Sequence, residues 1–221
     1  MDQVQKRHSL QEMLTSWEMA LRIYNQFSRS MEEFRPQKPP LCRVSFEKAP
    51  EPAGAISALR LFCDLTTRTL IYLGLQIDIT SERADLHCGL KTPKDSRFWI
   101  KPSLDQSALY QEDSTLLSFC LLKTHYRKLH IFSAADFDQA HRDLSLLREI
   151  TENLKSKNAR FPNPTALASY KQRLRNALFQ DLNFPTALEI LKDALRPGAL
   201  SPGTQTVFFE DCQALFGLSF L

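Results

Sequence analysis

The second half of the chain is a close succession of helix start and stop signals, and this pattern restricts the fold more than any other feature. Each start signal is a Ser or Asn placed before a segment with helical apolar spacing, and these residues are Ser114, Ser133, Asn163 and Asn183. Asp136 stands three residues after Ser133 and completes an acidic variant of the capping box. Short-linked helices pack as antiparallel neighbours. Residues 114–221 are therefore predicted to form an antiparallel helical bundle.

The first half gives fewer and more mixed signals. Residues 33–55 contain five prolines, which exclude a helix and leave a loop or a short edge strand. Residues 55–73 are predicted as a buried helix that ends at Gly74. The segments QIDIT (76–80) and FWI (98–100) are predicted as short strands. The predicted fold class is mainly α with a small α/β part.

The N-terminal segment allows two interpretations. Residues 9 to about 28 have the apolar spacing of one amphipathic helix. The alternative is that the second half of this segment is extended. Met13 and Trp17 are apolar positions that either belong to the core or are exposed for a protein partner.

Composition excludes several classes of protein. With 221 residues, of which 43% are hydrophobic, the chain is long enough to bury a core. The five cysteines are odd in number and form no Cys-x-x-Cys pair, which argues against a disulfide framework or a thiolate zinc site and favours a reducing cytoplasm. No run of about 18 uncharged apolar residues occurs, so no membrane span is expected. The net charge of +3 allows nucleic-acid binding only through local clusters of cations.

One such cluster lies between two apolar segments, in the sequence LLKTHYRKLHIF (121–132). Its candidate RNA-binding residues are Lys123, His125, Arg127 and Lys128, which would contact phosphate as point charges or through the guanidinium fork. The alternative is a solvated helix end, where cations interact favourably with the helix dipole. We call residues 123–128 the basic hinge.

A second cluster, YKQRLRNALF (170–179), places Lys171 and Arg175 four residues apart on one helical face and Arg173 on another. As a solvated face it needs no function. If it lies beside the basic hinge, the two clusters would hold an RNA stem with salt-sensitive affinity. Lys171 and Arg175 are therefore further candidate RNA-binding residues. The turn at 181–183 is interpreted as a helix cap.

Several stretches, taken in order, resemble cysteinyl-tRNA synthetase. LRIYNQFSRSMEEFRP (21–36) is similar to the opening strand of that enzyme, and FCDLTTRTLIYLGL (62–75) is similar to the helix after its HIGH signature. FCLLKTHYRKLHIFSAADFDQAHRDLSLL (119–147) resembles the segment in which Leu-Leu-x-Thr-His-Tyr-Arg leads into the helical bundle. LFQDLNFPTALEIL (178–191) matches the Asp-Leu-Asn-x-Pro-x-Ala-Leu turn and helix, and IDITSERADL (77–86) shares a shorter pattern.

The resemblance implies two parts. Residues 1–113 would be a reduced, Rossmann-like synthetase remnant, and residues 114–221 would be the DALR domain, the helical bundle that packs along the tRNA. The large insertion that separates the matched stretches in a full-length enzyme is expected to be deleted. In the family the Thr-His-Tyr-Arg hinge joins the catalytic fold to the bundle, so the basic hinge is expected at this junction.

The groups that perform aminoacyl adenylation in the family have no counterparts here. The HIGH signature, which holds the ATP phosphates, falls on Ala53-Gly54-Ala55-Ile56, and the KMSKS region falls on IKPSLDQSALYQEDST (100–115), which has a single lysine. The family's zinc ligands are two Cys, a His and a Glu, but Glu47 stands near the first cysteine position, and the adjacent His87 and Cys88 lack two further ligands. We therefore assign no catalytic residue, no metal ligand and no cofactor.

Three functional hypotheses follow. The first is a catalytically inactive, internally deleted paralogue of cysteinyl-tRNA synthetase that binds tRNA or accompanies a synthetase or another protein as an accessory factor. The second is an ATP-dependent ligase for cysteine or a related thiol substrate with a rebuilt site. The third is a helical protein–protein interaction module unrelated to translation.

Overall fold

The computed structural model describes residues 20–47, 56–81, 83–104, 109–110, 113–128, 132–156 and 162–218. The strands are β1 (Leu21–Asn25), β2 (Ser30–Phe34), β3 (Leu41–Phe46), β4 (Ile56–Ser57), β5 (Gln76–Ile79), β6 (Ala84–Cys88), β7 (Ser96–Ile100) and β8 (Leu109–Tyr110). The helices are α1 (Ala58–Tyr72), α2 (Ser114–Lys123), α3 (Ala134–Ser156), α4 (Pro164–Phe179), α5 (Phe184–Ala194) and α6 (Pro202–Phe216). About half of the described residues are helical, so the fold is mixed α/β. The predictions for residues 9–19, including Met13 and Trp17, and for 53–55 lie outside the described residues.

The largest sheet consists of four parallel strands in the order β5-β3-β6-β7. After β3 the chain passes through α1 to β5 on one side, and it then adds β6 and β7 on the other side. The strand order therefore reverses at β3, which makes the gap between β3 and β6 a topological switch point. Val44 of β3 lies opposite Ile79 of β5 and opposite Leu86 of β6.

The prediction of a loop or an edge strand for residues 33–55 is wrong for β3, which is paired on both sides. The prolines of residues 33–55 all lie outside β3 (Leu41–Phe46); they are Pro36, Pro39, Pro40, Pro50 and Pro52. Every residue of the strand therefore keeps the N–H that an interior position needs. The predicted strands at 76–80 and 98–100 are confirmed as β5 and as part of β7.

Helix α1 is the predicted buried helix, and it contains threonines that are β-branched and polar. The buried hydroxyls of Thr66 and Thr69 each donate to the carbonyl four residues earlier at 2.8 Å, so neither is left without a partner. Gly74 has φ +98°, the left-handed conformation that ends a helix and that glycine adopts without a Cβ penalty. The predicted C-terminal glycine is thus confirmed.

Strands β1 and β2 form an antiparallel hairpin, which confirms the extended alternative for the end of the N-terminal segment. The hairpin is joined to β7 by Asn25, which is buried. Asn25 Oδ1 accepts the Trp99 N–H at 3.3 Å, and Asn25 Nδ2 donates to the Arg97 carbonyl at 3.4 Å and to Glu32 at 3.0 Å. The Gln26 N–H also donates to the Trp99 carbonyl at 3.0 Å. The Asn25 side chain thus joins the hairpin to β7 in place of a regular ladder of backbone hydrogen bonds.

Most of the predicted helix starts are correct. Ser133, Asn163 and Asn183 act at the starts of α3, α4 and α5 through side-chain bonds to backbone N–H groups. Helix α2 is the exception, because its cap is Asp113, whose Oδ1 accepts the Thr115 N–H at 2.8 Å, and not Ser114. An aspartate cap also places a negative charge at the positive end of the helix dipole.

The helices pack on one another and on the sheet. Helix α2 contacts α1, α3 and α5, and α6 contacts α1 and the other late helices, so one hydrophobic core extends from Leu21 to Leu218. The division of the chain into two parts near residue 113 stays a prediction from the family resemblance. In the structure, α1 packs directly on helices that follow residue 113. None of the helices in the described ranges is long and apolar enough to cross a lipid bilayer.

Replacing Asn25 with alanine is expected to lower the free energy of unfolding by about 2 kcal/mol, because buried N–H and C=O groups lose their partners. Urea denaturation measures this loss. The matched control is Gln26→Ala, whose backbone N–H keeps its bond to Trp99 and which is expected to change stability by less than about 0.5 kcal/mol. Equal losses in the two variants would contradict the role assigned to Asn25.

Candidate functional site

A buried aspartate lies at the point where the basic hinge, the β1 strand and the turn after α4 meet. Asp181 and Leu182 follow α4 and have φ angles of +60° and +49°. The Asp181 N–H donates to the Arg22 carbonyl of β1 at 2.7 Å. Asparagine and aspartate tolerate the left-handed region better than other residues with a side chain. The local sequence therefore lets the chain turn sharply and point the Asp181 carboxylate into the junction.

The two carboxylate oxygens of Asp181 have different partners. Oδ1 accepts the Tyr24 N–H at 2.8 Å and also the Tyr126 hydroxyl, in a short hydrogen bond. Oδ2 lies 2.7 Å from Arg127 Nε and 3.5 Å from His125 Nε2, but neither nitrogen donates an aligned hydrogen bond to this buried oxygen. The negative charge of Asp181 is thus compensated by an ion pair with Arg127, while Oδ2 can still accept a hydrogen bond. We call Asp181, Tyr24, His125, Tyr126 and Arg127 the junction network.

Tyr126 holds the basic hinge against α1 and the segment that follows β7. It is 2% exposed, its ring lies 5.6 Å from that of Phe62 on α1, and its carbonyl accepts the Ser103 N–H at 2.7 Å. Burial, followed by the nearby charge of Asp181, raises the pKa of Tyr126 far above its usual value. The hydroxyl therefore remains protonated and can only donate to the carboxylate.

Arg127 links the buried carboxylate to the surface. Its guanidinium carbon lies 4.8 Å from the centre of the Tyr24 ring, a cation–π geometry, and its side chain is 44% exposed. Lys128 follows on the exposed surface. These two residues present the outward charge of the basic hinge.

The charge of His125 differs from what its place in a basic cluster suggests. Burial lowers the pKa of His125 below 6.5, and Arg127 and Lys128 contribute in the same direction, while Asp181 opposes the shift. The ring stacks on Tyr126 with centroids 4.8 Å apart. His125 is therefore neutral at pH 7 and serves there as a packing group beside the carboxylate.

Two of the three other candidate RNA-binding residues have acidic neighbours of their own. Lys123 Nζ lies 3.3 Å from Asp143 of α3, and Lys171 Nζ lies 2.7 Å from Asp211 of α6. Arg175 is half-buried on α4. Arg173 faces α5 and pairs with Asp193 at 3.0 Å, which agrees with its predicted position on another face. The structure brings the basic hinge residues together, whereas Lys171 is directed towards α6.

The switch point between β3 and β6 is filled by a side chain of the protein. Glu47 follows β3, and its Oε2 accepts the N–H groups of Leu90 and Lys91, beyond β6, at 2.5 and 2.9 Å. Open α/β sheets bind ligands at this place, and successive N–H groups that converge on one point form an anion site. A Cβ at Gly89 would lie 2.6 Å from His87 Nε2 and 2.8 Å from Glu47 Cβ, so only glycine fits. The Glu47 carboxylate occupies the position of an anionic ligand.

His87 and Cys88, considered above as metal ligands, point to opposite faces of β6, as neighbours in a strand do. His87 Nδ1 lies 2.9 Å from Ser45 Oγ, and Cys88 Sγ lies 3.4 Å from Cys63 Sγ of α1. Burial lowers the pKa of His87 and raises that of the Cys88 thiol far above its usual value. In the part of the chain that the structure describes, no group of three His, Cys, Asp or Glu side chains is arranged to hold a metal ion.

Sequence reasoning missed the role of Asp181, because it interpreted residues 181–183 as one capping turn. Asn183 does cap α5, since its Oδ1 accepts the Thr186 N–H at 3.2 Å. Asp181 instead binds residues that are 55 and 157 positions away in the chain. The sequence did contain a signal for this role. The basic hinge has cations but no Asp or Glu, so an acidic partner would have to come from another part of the chain.

Replacing Tyr126 with phenylalanine is expected to lower the free energy of unfolding by about 2 kcal/mol, because a buried hydrogen bond to a charged group is lost. The matched control is Tyr170→Phe, which removes a 3.1 Å hydrogen bond to the solvent-exposed Asp193 carboxylate and is expected to lower stability clearly less. Chemical denaturation of both variants measures the difference. A larger loss for Tyr170→Phe would refute the importance of the junction network.

Stability is expected to decrease as the pH falls from 7 towards 5. His125 in the unfolded chain takes up a proton near its ordinary pKa of 6.5, whereas the folded protein binds that proton only at lower pH. The unfolded state therefore gains protons first, and the His125→Gln variant should lose less stability over this range than the wild type. His87, whose pKa is also lowered, accounts for part of the remaining slope.

The control for the pH experiment is His141→Gln, which changes an exposed histidine on α3 and should keep the wild-type dependence. Unfolding free energies at several pH values between 5 and 8 provide the comparison. The assignment fails if His125→Gln follows the wild-type curve throughout.

Comparison with known proteins gives one partial similarity. No protein-family model matches the chain. The chain is 32% identical over 95 residues to the cysteine–tRNA ligase of Idiomarina loihiensis, a match that covers 41% of the chain. The matched region is 19% of that enzyme, so the chain spans about a fifth of the length of this relative. The similarity supports a relation to the cysteine–tRNA ligases over less than half of the chain.

Proposed function

We propose that the chain is an RNA-binding accessory protein of cysteine–tRNA ligase descent that does not itself activate an amino acid. The observation that carries this proposal is the convergence of three segments on Asp181. These segments contain LRIYN, THYR and QDLN, and they belong to the stretches that resemble cysteinyl-tRNA synthetase. A retained junction between a sheet and a set of helices is what a shortened synthetase would keep.

The charge distribution at the junction supports contact with a polyanion. The inner face of the basic hinge is neutralised by Asp181, while Lys128 and the exposed part of Arg127 remain on the surface. Cations of this kind contact phosphate without reading sequence. Lys123 and Lys171 would join only by exchanging Asp143 and Asp211 for a phosphate. In this proposal the partner is tRNA, because the similar enzyme is named a cysteine–tRNA ligase.

The filled switch point supports the absence of adenylation. Binding of the ATP phosphates in such a fold needs free backbone N–H groups at the ends of the strands. Here the Leu90 and Lys91 N–H groups are held by Glu47. In the proposal, residues 1–113 are therefore a reduced Rossmann-like remnant that scaffolds the junction, and residues 114–221 act as a DALR-like bundle beside the tRNA.

The direct test is the affinity of the purified protein for tRNA at several salt concentrations. Lys128→Gln is expected to weaken binding a few-fold and to reduce the slope of log K against log salt by about one, since one phosphate contact is removed. Lys128 is suitable because it is exposed, whereas an Arg127 substitution would also remove the partner of Asp181. The control is Lys192→Gln on α5, which should leave the slope unchanged.

Two outcomes would overturn the proposal. ATP–pyrophosphate exchange in the presence of cysteine would establish an adenylating enzyme with a rebuilt site. A tRNA affinity that does not change in Lys128→Gln, Lys171→Gln and Arg175→Gln would favour a helical module for a protein partner.

A further inference from the structure

A second basic concavity lies far along the chain from the basic hinge, at the amino ends of β3 and β6. It is a cleft of about 30 Å³, lined by Gln37, Lys38, Leu41, Arg43, Arg83 and Asp85. The volume is that of about one water molecule, or of one oxygen of a larger oxyanion. Three of the lining residues are cations: Lys38 and Arg43 come from the segment around the start of β3, and Arg83 precedes β6.

The carboxylate in the cleft, that of Asp85, has a structural role, because both of its oxygens accept backbone N–H groups. Asp85 is 4% exposed, its Oδ1 accepts the Gln37 N–H at 3.1 Å, and its Oδ2 accepts the Arg43 N–H at 3.0 Å. These bonds fix the chain before β3 against β6 and so position Lys38 and Arg43 around the cleft. Asp85 thus builds the cleft in the way that a buried polar group with satisfied partners builds a rigid site.

The cations themselves are only partly compensated. Arg43 Nε lies 3.9 Å from Asp78, and both side chains are about half exposed, so this pair is loose. Among the described residues, no carboxylate forms an ion pair with Lys38 or Arg83, and both are exposed. Asp85 and Asp78 offset only part of the charge of the three cations, so among the described residues the cleft keeps a net positive charge.

The segment that forms the cleft follows directly on the β1–β2 hairpin, which also contacts the junction network. Phe34, the last residue of β2, is paired with Leu21, which precedes the Arg22 carbonyl that bonds Asp181. Three residues separate Phe34 from Lys38, so the Cα atoms of these two residues are at most about 14 Å apart.

We propose that this cleft is an oxyanion site that binds a phosphate group through Lys38, Arg43 and Arg83. The phosphate comes from an RNA backbone or from free inorganic phosphate, and the two sources share this chemistry. The RNA source rests on the proposed function, whereas the phosphate site itself does not.

The first experiment uses inorganic phosphate and the full ¹⁵N-labelled chain at constant ionic strength. Phosphate is expected to give saturable shifts of the amide signals of Gln37, Lys38, Arg43 and Arg83, and the Lys38→Gln/Arg83→Gln double variant should lose them. Arg142→Gln, which changes an exposed cation on α3, should behave as the wild type. An absence of saturable shifts, or equal shifts in the double variant, would overturn the site.

The second experiment identifies the source of the phosphate. With tRNA, the double variant is expected to reduce the slope of log K against log salt by about two, because two phosphate contacts are lost. An unchanged slope together with the phosphate-induced shifts refutes the RNA source and assigns the site to free phosphate. A wild type that does not bind tRNA overturns the proposed function and leaves the result with phosphate to decide this site. The melting temperature of the double variant, expected to match that of the wild type, verifies that the double variant is folded.

Discussion

The structure depends on the compensation of one buried negative charge. An isolated carboxylate in a protein interior costs several kcal/mol, and this cost is recovered only when donors and a cation surround it. Asp181 obtains a backbone N–H from β1, and a hydroxyl and a guanidinium from the basic hinge. The β1 strand and the basic hinge must therefore both meet the turn at Asp181, since losing either one leaves the charge only partly compensated. The same requirement fixes the outward direction of Lys128 and of the exposed part of Arg127.

A second carboxylate separates this scaffold from a nucleotide-binding fold. Glu47 satisfies the N–H groups that a phosphate would use at the switch point, so the sheet is closed at the place where related topologies open. The hydrophobic core extends from the sheet into the helices. At the junction network, Lys128 and part of the Arg127 side chain leave positive charge on the surface.

Local features of the fold could be predicted from the sequence, and long-range ones could not. The caps at Ser133, Asn163 and Asn183 and the end of α1 at Gly74 depend on neighbours within four residues, so the pattern was sufficient. The interior position of β3 depends on β5 and β6, which arrive later in the chain. The role of Asp181 depends on Tyr24, 157 positions away. The basic hinge was found because its charges lie within six residues of the chain, whereas the cleft at Lys38 is assembled from two distant segments and gives no signature in the sequence.

The most direct test of the charge compensation at Asp181 is native-state hydrogen exchange in the Asp181→Asn variant. Asparagine tolerates the positive φ of this position, so the substitution removes the charge and keeps the turn. In the wild type, amides of β6 and of α5 should open with the same free energy, because the junction network makes the sheet and the helices one cooperative unit. In the variant, the α5 amides should open at a lower free energy than those of β6. Equal opening free energies in the variant would contradict the claim that this carboxylate joins the two parts.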